Sequence, residues 1–304
     1  MPVPARPHSK VNPTSQKILV LGAGGMLGHA VCETVSVAGH EPVAASREDV
    51  DVRERAQIER WLGGVQAVIN CAAFTNVDGC ESEEPLATQI NGDAVGGLAA
   101  ACAEHSVRLV HVSTDYVFAG DGTRPYVEQD PVAPQSAYGR SKALGERLAL
   151  EQGGHVVRTS WLFGPEGPNF VETMLGLAER GQGVKVVEDQ VGCPTYTFDL
   201  AQALVRIAQA SHAPPSILHV ANPPATSWFG FAQEIFRVFE KDVDVSPCTT
   251  DEFPRPARRP AYSVLDVSAY EQWAGVSIPS WRDALRDYRE RRGPLDPSSE
   301  ERAQ

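Results

Sequence analysis

The chain has no apolar run approaching the ~18 residues that a membrane-spanning helix needs, so no membrane association is expected. It has no basic excess either. Lys and Arg number 27 against 39 Asp and Glu, a net charge of −12, which argues against a nucleic-acid partner. The six cysteines (Cys32, Cys71, Cys80, Cys102, Cys193, Cys248) show no C-x-x-C spacing, which removes zinc and dithiol redox motifs. They read as reduced thiols in a cytoplasmic protein, and no metal site is expected. Internal repeats and low-complexity tracts are missing as well. Residues 1–16 carry Pro2, Pro4, Pro7 and Pro13 but no apolar signal core, and read as a disordered extension. Residues 293–304 are polar and charged and read as a flexible tail.

What is present, from Lys17 onward, is an alternation of short β-branched runs with longer amphipathic stretches. Strands are expected at Lys17–Leu21, Glu41–Ala45, Ala67–Asn70, Leu109–Ser113 and Val156–Thr159. Helices are expected over Met26–Val37, Pro85–His105, Ser136–Gln152, Asn169–Arg180, Phe198–Gln209 and Ser227–Glu240. Such alternation implies an α/β fold, a Rossmann-type doubly wound parallel sheet that presents its ligand at the carboxyl ends of the strands. The expected division is a dinucleotide-binding domain over 17–160, completed by parts of 196–221. A smaller mixed substrate-binding lobe is expected over 161–292, where Gly, Pro and aromatic residues become frequent.

Directly after the first strand, Gly22, Gly25 and Gly28 form G-x-x-G-x-x-G. Such glycines allow a tight turn and a close approach of backbone to a pyrophosphate, while the following helix, opening at Met26 and Leu27, points free N–H groups at the phosphates. At the end of the second strand Arg47 stands where an enzyme strict for NAD usually carries an acid, so NADPH is preferred. Glu48 and Asp49 follow closely, so NADH stays possible, and a plain surface role fits Arg47 as well. Asp51 and Val52 suit an adenine contact. Cys71, Ala72 and Ala73 follow the third strand with side chains small enough for backbone to lie against a cofactor.

Tyr138-Gly139-Arg140-Ser141-Lys142 gives Y-x-x-x-K on an expected helix, with phenol and ammonium on one face. A neighbouring ammonium favours the tyrosinate, which suits Tyr138 as proton donor to a carbonyl oxygen becoming an alkoxide. The fourth strand ends in Val112-Ser113-Thr114-Asp115-Tyr116, and Thr114 is placed to hydrogen-bond the developing oxyanion. Trp161 can stack on a base or sugar, or simply pack the lobe. Arg255, Arg258 and Arg259 can meet a diphosphate, or can be a solvated cluster.

These segments resemble the extended short-chain dehydrogenase/reductase family, and within it the dTDP-4-dehydrorhamnose reductases. The resemblance runs from Lys17 to Val267. It rests on GAGGMLG (22–28), NCAAFTNVD (70–78), STDYVFAG (113–120), YGRSKALGE (138–146), VRTSWLFG (157–164), EDQVGCPTY (188–196) and RRPAYSVLD (258–266). It implies reduction of the C4 keto group of a dTDP-4-keto-6-deoxy sugar by NADPH or NADH. It also implies a sugar-nucleotide partner and a monomer or homodimer. Thr114, Tyr138 and Lys142 would be catalytic. Thr75, Asn91 and Val112 would join the cofactor-binding residues. Val77, Asp115, Tyr116, Trp161, Arg259 and Ser263, with Thr114, would line the substrate. Two alternatives stay open: an epimerase on the same scaffold, and a non-catalytic regulatory subunit like the β subunit of methionine adenosyltransferase. Dehydration is disfavoured, because Tyr116 stands where related dehydratases carry a glutamate.

Overall fold

The computed structural model describes residues 15–181 and 183–293; the expected N-terminal extension up to position 14 and the tail beyond Gly293 lie outside them. The chain opens with β1 (Lys17–Leu21), α1 (Met26–Val37), β2 (Glu41–Ala45), α2 (Arg55–Trp61) and β3 (Ala67–Asn70). Next come α3 (Val77–Ser82), α4 (Glu84–Thr88), a π-helical turn over Gln89–Asp93, α5 (Ala94–Glu104) and β4 (Arg108–Thr114). After a 3-10 turn at Asp115–Val117 follow α6 (Ala137–Glu151), β5 (His155–Thr159), β6 (Leu162–Phe163), α7 (Phe170–Glu179) and β7 (Val184–Val187). The remainder comprises β8 (Val191–Gly192), β9 (Thr195–Tyr196), α8 (Thr197–Ala208), β10 (Ile217–His219), β11 (Thr226–Ser227), α9 (Trp228–Val238), β12 (Val245–Cys248), α10 (Ser268–Ala274) and α11 (Trp281–Arg292).

Six strands form one parallel sheet in the order β2-β1-β3-β4-β5-β10. Strand residues alternate between its two faces, as the period of two requires. Ile18 and Val20 pack with Ala30 of α1 and Leu204 of α8, whereas Leu19 and Leu21 pack with Ile58 of α2 and Leu98 of α5. Helices therefore cover both faces, and the strands read as apolar runs because neither face meets water. This is the doubly wound α/β architecture expected from the alternation. From β1 the chain steps outward to β2, then returns to place β3 on the other side of β1. Strand order thus reverses between β1 and β3, which is where such a sheet opens its crevice.

Several elements depart from the sequence reading; among them α10 and α11 match no expected helix and β10 no expected strand. The helix expected over Pro85–His105 is broken by the π turn into α4 and α5. Helix α2 was not foreseen; it is seven residues long and only Ile58 is buried on it, so its apolar period is faint. Beyond Trp161 the short strands pair two by two, β6 with β9, β7 with β12 and β8 with β11. Phe231, Trp281 and Tyr288, all fully buried, pack α9 and α11 together with Phe163.

One buried ion pair fixes the end of the sheet. Arg158 of β5 donates two hydrogen bonds to Glu146 of α6, at 2.9 and 2.7 Å, with both side chains almost fully enclosed. The guanidinium carbon also lies 4.9 Å from the centre of the Phe118 ring. Removing either charge would strand the other, a loss of about 3–5 kcal/mol. The pair thereby anchors both α6 and the segment that follows β4.

Candidate active site

The turn after β1 is shaped by contacts that leave no room for side chains. Gly22 has φ +77°, and its N–H and that of Ala23 both donate to the Ala45 carbonyl of β2, at 2.9 and 3.1 Å. A Cβ on Gly22 would stand 2.8 Å from the Ala72 nitrogen, and one on Gly28 would overlap the Gly22 carbonyl oxygen. The loops after β1 and β3 therefore touch through backbone. Gly25 caps α1 with no side-chain hydrogen bond, and the first turn of the helix carries no acid. Its leading N–H groups, through Met26 and Leu27, are free to receive an anion. That arrangement fits a dinucleotide pyrophosphate. Arg47 is exposed at the end of β2. Asp51 carries its carboxylate paired with Arg53 at 2.6 Å, which holds it below the usual carboxylate range. Val52 is half-buried beside the core under β2.

The loop after β3 is tied in place by two asparagines. The Ala72 N–H donates to Asn70 Oδ1 at 3.1 Å, and Cys71 N–H to the Leu21 carbonyl at 3.0 Å. Ala73 and Phe74 continue the loop, and Asn91 spans it: its Oδ1 accepts from Phe74 N–H at 2.8 Å while its Nδ2 donates to the Phe74 carbonyl at 3.0 Å. Asn91 Nδ2 also reaches Ser141 Oγ of α6 at 3.1 Å. Thr75 is exposed, and Val77 opens α3 half-buried.

Helix α6 begins where Ser136 Oγ accepts the Gly139 N–H at 3.1 Å, with Glu81 taking the Ala137 N–H at 2.8 Å. This cap sets Tyr138 against Tyr116, ring centres 5.6 Å apart and edge to face. Burial and the nearby Asp115 charge push the Tyr138 phenol well above its ordinary range, while the neighbouring Thr114 hydroxyl pulls the other way. Such a phenol keeps its proton throughout the neutral range. Lys142 turns its side chain toward β4. Its Nζ donates to the Val112 carbonyl at 2.6 Å and lies 3.2 Å from His111 Nε2, so its hydrogen bonds go to β4, not to the phenol. Burial lowers it to about 8. His111, fully enclosed and held well below its usual range by burial and then by Lys142, contacts Asn70 Nδ2 through its other ring nitrogen at 3.2 Å.

The Thr114 hydroxyl donates to Asp115 Oδ1 at 2.9 Å. Of the three arginines, Arg259 donates to Asp78 Oδ2 at 2.9 Å, Arg255 lies 3.8 Å from the same carboxylate, and Arg258 reaches only Gln135 at 3.4 Å. One Arg259 nitrogen, Nη1, is buried without a partner. Ser263 is buried beside Asp115. Trp161, with φ +47°, stacks one face on Trp228 at 3.7 Å between centres.

The structure thus gathers Thr114, Asp115, Tyr116, Tyr138, Arg259 and Ser263 at the end of β4. It sets Lys142 and Val112 behind them, and the glycine turn, Cys71, Ala72, Ala73 and Asn91 beside them. Sequence reasoning missed His111, Asp78 and Trp228. His111 had a legible signal, a polar residue inside the apolar run Arg108–Thr114; the other two had none.

Comparison with known proteins places this geometry. The family model for the RmlD substrate binding domain matches residues 16–292. The spore coat polysaccharide biosynthesis protein SpsK of Bacillus subtilis is 43% identical over 91% of this chain and 98% of the relative. The dTDP-4-dehydrorhamnose reductase of Mycolicibacterium smegmatis is 39% identical over 92% of this chain and 87% of the relative. Among solved structures, the dTDP-4-dehydrorhamnose reductase of Bacillus anthracis in complex with NADP superposes with a TM-score of 0.86 at 34% identity, over 90% of this chain and 98% of that one. Family match, relatives and shared architecture agree: the chain belongs to the dTDP-4-dehydrorhamnose reductase family of extended short-chain dehydrogenases/reductases.

Proposed function

We propose that this oxidoreductase uses NADPH to reduce the C4 keto group of a dTDP-4-keto-6-deoxy sugar, taking dTDP-4-dehydro-L-rhamnose to dTDP-L-rhamnose or a closely related deoxysugar. The observation that carries the reading is the meeting of Thr114 and Tyr138 at the end of β4, with Lys142 buried behind them. The named activity of the Mycolicibacterium smegmatis relative and the NADP of the Bacillus anthracis structure support it. NADPH, when bound, supplies the hydride. The Gly22–Gly28 turn and the start of α1 would hold its pyrophosphate and Arg47 its 2′-phosphate. Lys142 would hold its nicotinamide ribose. Asn91 keeps the loop after β3 flush against that side.

Tyr138 is the general acid. Its raised pKa means that the proton leaves only for an oxygen as basic as an alkoxide. The segment 161–292 serves as the substrate lobe: Trp161, stacked on Trp228, would stand beside the sugar nucleotide, and Arg259 Nη1 is left for the diphosphate. The test mixes the protein with enzymatically made dTDP-4-keto-6-deoxy-L-mannose and either NADPH or NADH. Loss of reduced-nicotinamide absorbance is expected, faster with NADPH. Tyr138→Phe should lower kcat by roughly 10²–10⁴-fold with the melting temperature unchanged. Absence of turnover with every 4-keto sugar nucleotide tried would overturn the reading.

A further inference from the structure

Thr114 has a single hydroxyl hydrogen, and Asp115 Oδ1 receives it at 2.9 Å. The Tyr116 backbone N–H approaches the same hydroxyl oxygen at 3.3 Å, occupying a lone pair. Thr114 is 6% exposed and Asp115 2%, so water does not compete for either group. The second carboxyl oxygen, Asp115 Oδ2, is buried with no hydrogen-bond partner. A hydroxyl in this state can accept but cannot donate to a carbonyl oxygen. A buried carboxylate with one bare oxygen is relieved by binding a proton there.

We propose that Asp115 is a positioning residue that sets the direction of the Thr114 hydroxyl. Ionised, it draws the hydrogen inward; protonated, it donates to Thr114 Oγ1 and turns the Thr114 hydrogen outward to the substrate oxygen. The proposal rests on the ketoreductase reading, since it concerns the oxygen that receives the hydride's negative charge. The proton on Asp115 comes from solvent and remains on the carboxyl, so the chemical step is otherwise unchanged. The groups that face this carboxyl are few. They are the phenols of Tyr116 and Tyr138, the Cys193 thiol and the Ser263 hydroxyl, with Arg259 and Asp78 acting on Tyr116 behind them. Burial outweighs the pull of the nearby Ser263 and Thr114 hydroxyls and of the Asp115 and Tyr116 backbone N–H groups and raises Asp115 to about 6, inside the range where an enzyme works. The sign follows: the protonated fraction is full below that value and falls about tenfold per pH unit above it.

Two readouts test this. The first is kcat against pH, from about 5.5 to 8.5, at saturating substrate. The wild type should lose about tenfold per unit above its midpoint, with KM for the sugar nucleotide flat. Asp115→Asn, whose amide can donate to Thr114 at every pH, should show no such limb. The second needs no turnover: the protonated-carboxyl stretch of Asp115, taken as the infrared difference between wild type and Asp115→Asn with NADPH bound. Thr114→Val removes the donor that favours the ionised form, so the carboxyl midpoint should rise by about one pH unit. Thr114→Ser should restore both midpoint and kcat. An unmoved midpoint in Thr114→Val, or a limb that persists in Asp115→Asn, overturns the proposal. Failure to turn over any 4-keto sugar nucleotide would instead sink the reductase reading, with the infrared arm still deciding the coupling.

Discussion

Backbone and small residues make the proposed cofactor side of the site, whereas side chains already bonded to one another make the proposed substrate side. On the first side Gly22, Gly28 and Ala72 meet with no side chain between them, and the N–H groups at the start of α1 stand free. On the second side Thr114 is held by Asp115, Arg259 by Asp78, and Trp161 by Trp228. A cradle of backbone depends on shape alone and tolerates no added atom. A set of paired side chains depends on partners, so it can be loosened by degrees while the fold stands. The two sides should therefore fail differently when changed.

The largest effect is expected at Gly28→Ala. The new methyl overlaps the Gly22 carbonyl, and neither is at the end of a flexible chain. Destabilisation of about 3 kcal/mol or more in denaturant unfolding should accompany loss of NADPH binding by fluorescence titration. Unchanged stability and binding would break the contrast between the two sides. Asp78→Asn should act on the other side only. It weakens the hold on Arg259 and on the Ala257 N–H, which donates to Asp78 at 3.1 Å. KM for the sugar nucleotide should rise about tenfold while NADPH affinity stays put. A fall in NADPH affinity of the same size would show that the two sides are one unit. The smallest effect is expected for Trp228→Leu, which removes the stack beneath Trp161. Such a pair contributes about 0.5–1.5 kcal/mol, hence a roughly two- to tenfold rise in KM. The quantum yield of Trp161 should change with it.

The same contrast explains what could be read before the structure. The first five strands of the sheet and the glycine turn were legible because each is local: an apolar run, then glycines, then a helix start within a dozen residues. The run Leu109–Ser113 placed Thr114 at its end, and the i,i+4 spacing placed Tyr138 and Lys142 on α6. Partnership was not legible. Asp78 and Arg259 are separated by 181 positions, and nothing near either one names the other. Lys142 shares a helix face with Tyr138, yet its nitrogen is drawn to Val112 and His111 because the buried end of β4 offers it an acceptor. The helical stretch at 85–105 was found, but its π turn was not, since one extra residue per turn barely disturbs an apolar pattern.

That turn has a consequence for how the family can vary. Gln89–Asp93 winds more widely than the α-helix on either side, and Asn91 sits at its centre, clasping Phe74 by both backbone atoms and Ser141 by its hydroxyl. Losing one residue here would restore the ordinary winding and swing Asn91 about a quarter-turn aside. Insertions and deletions between residues 84 and 104 are thus penalised unless they come in whole turns.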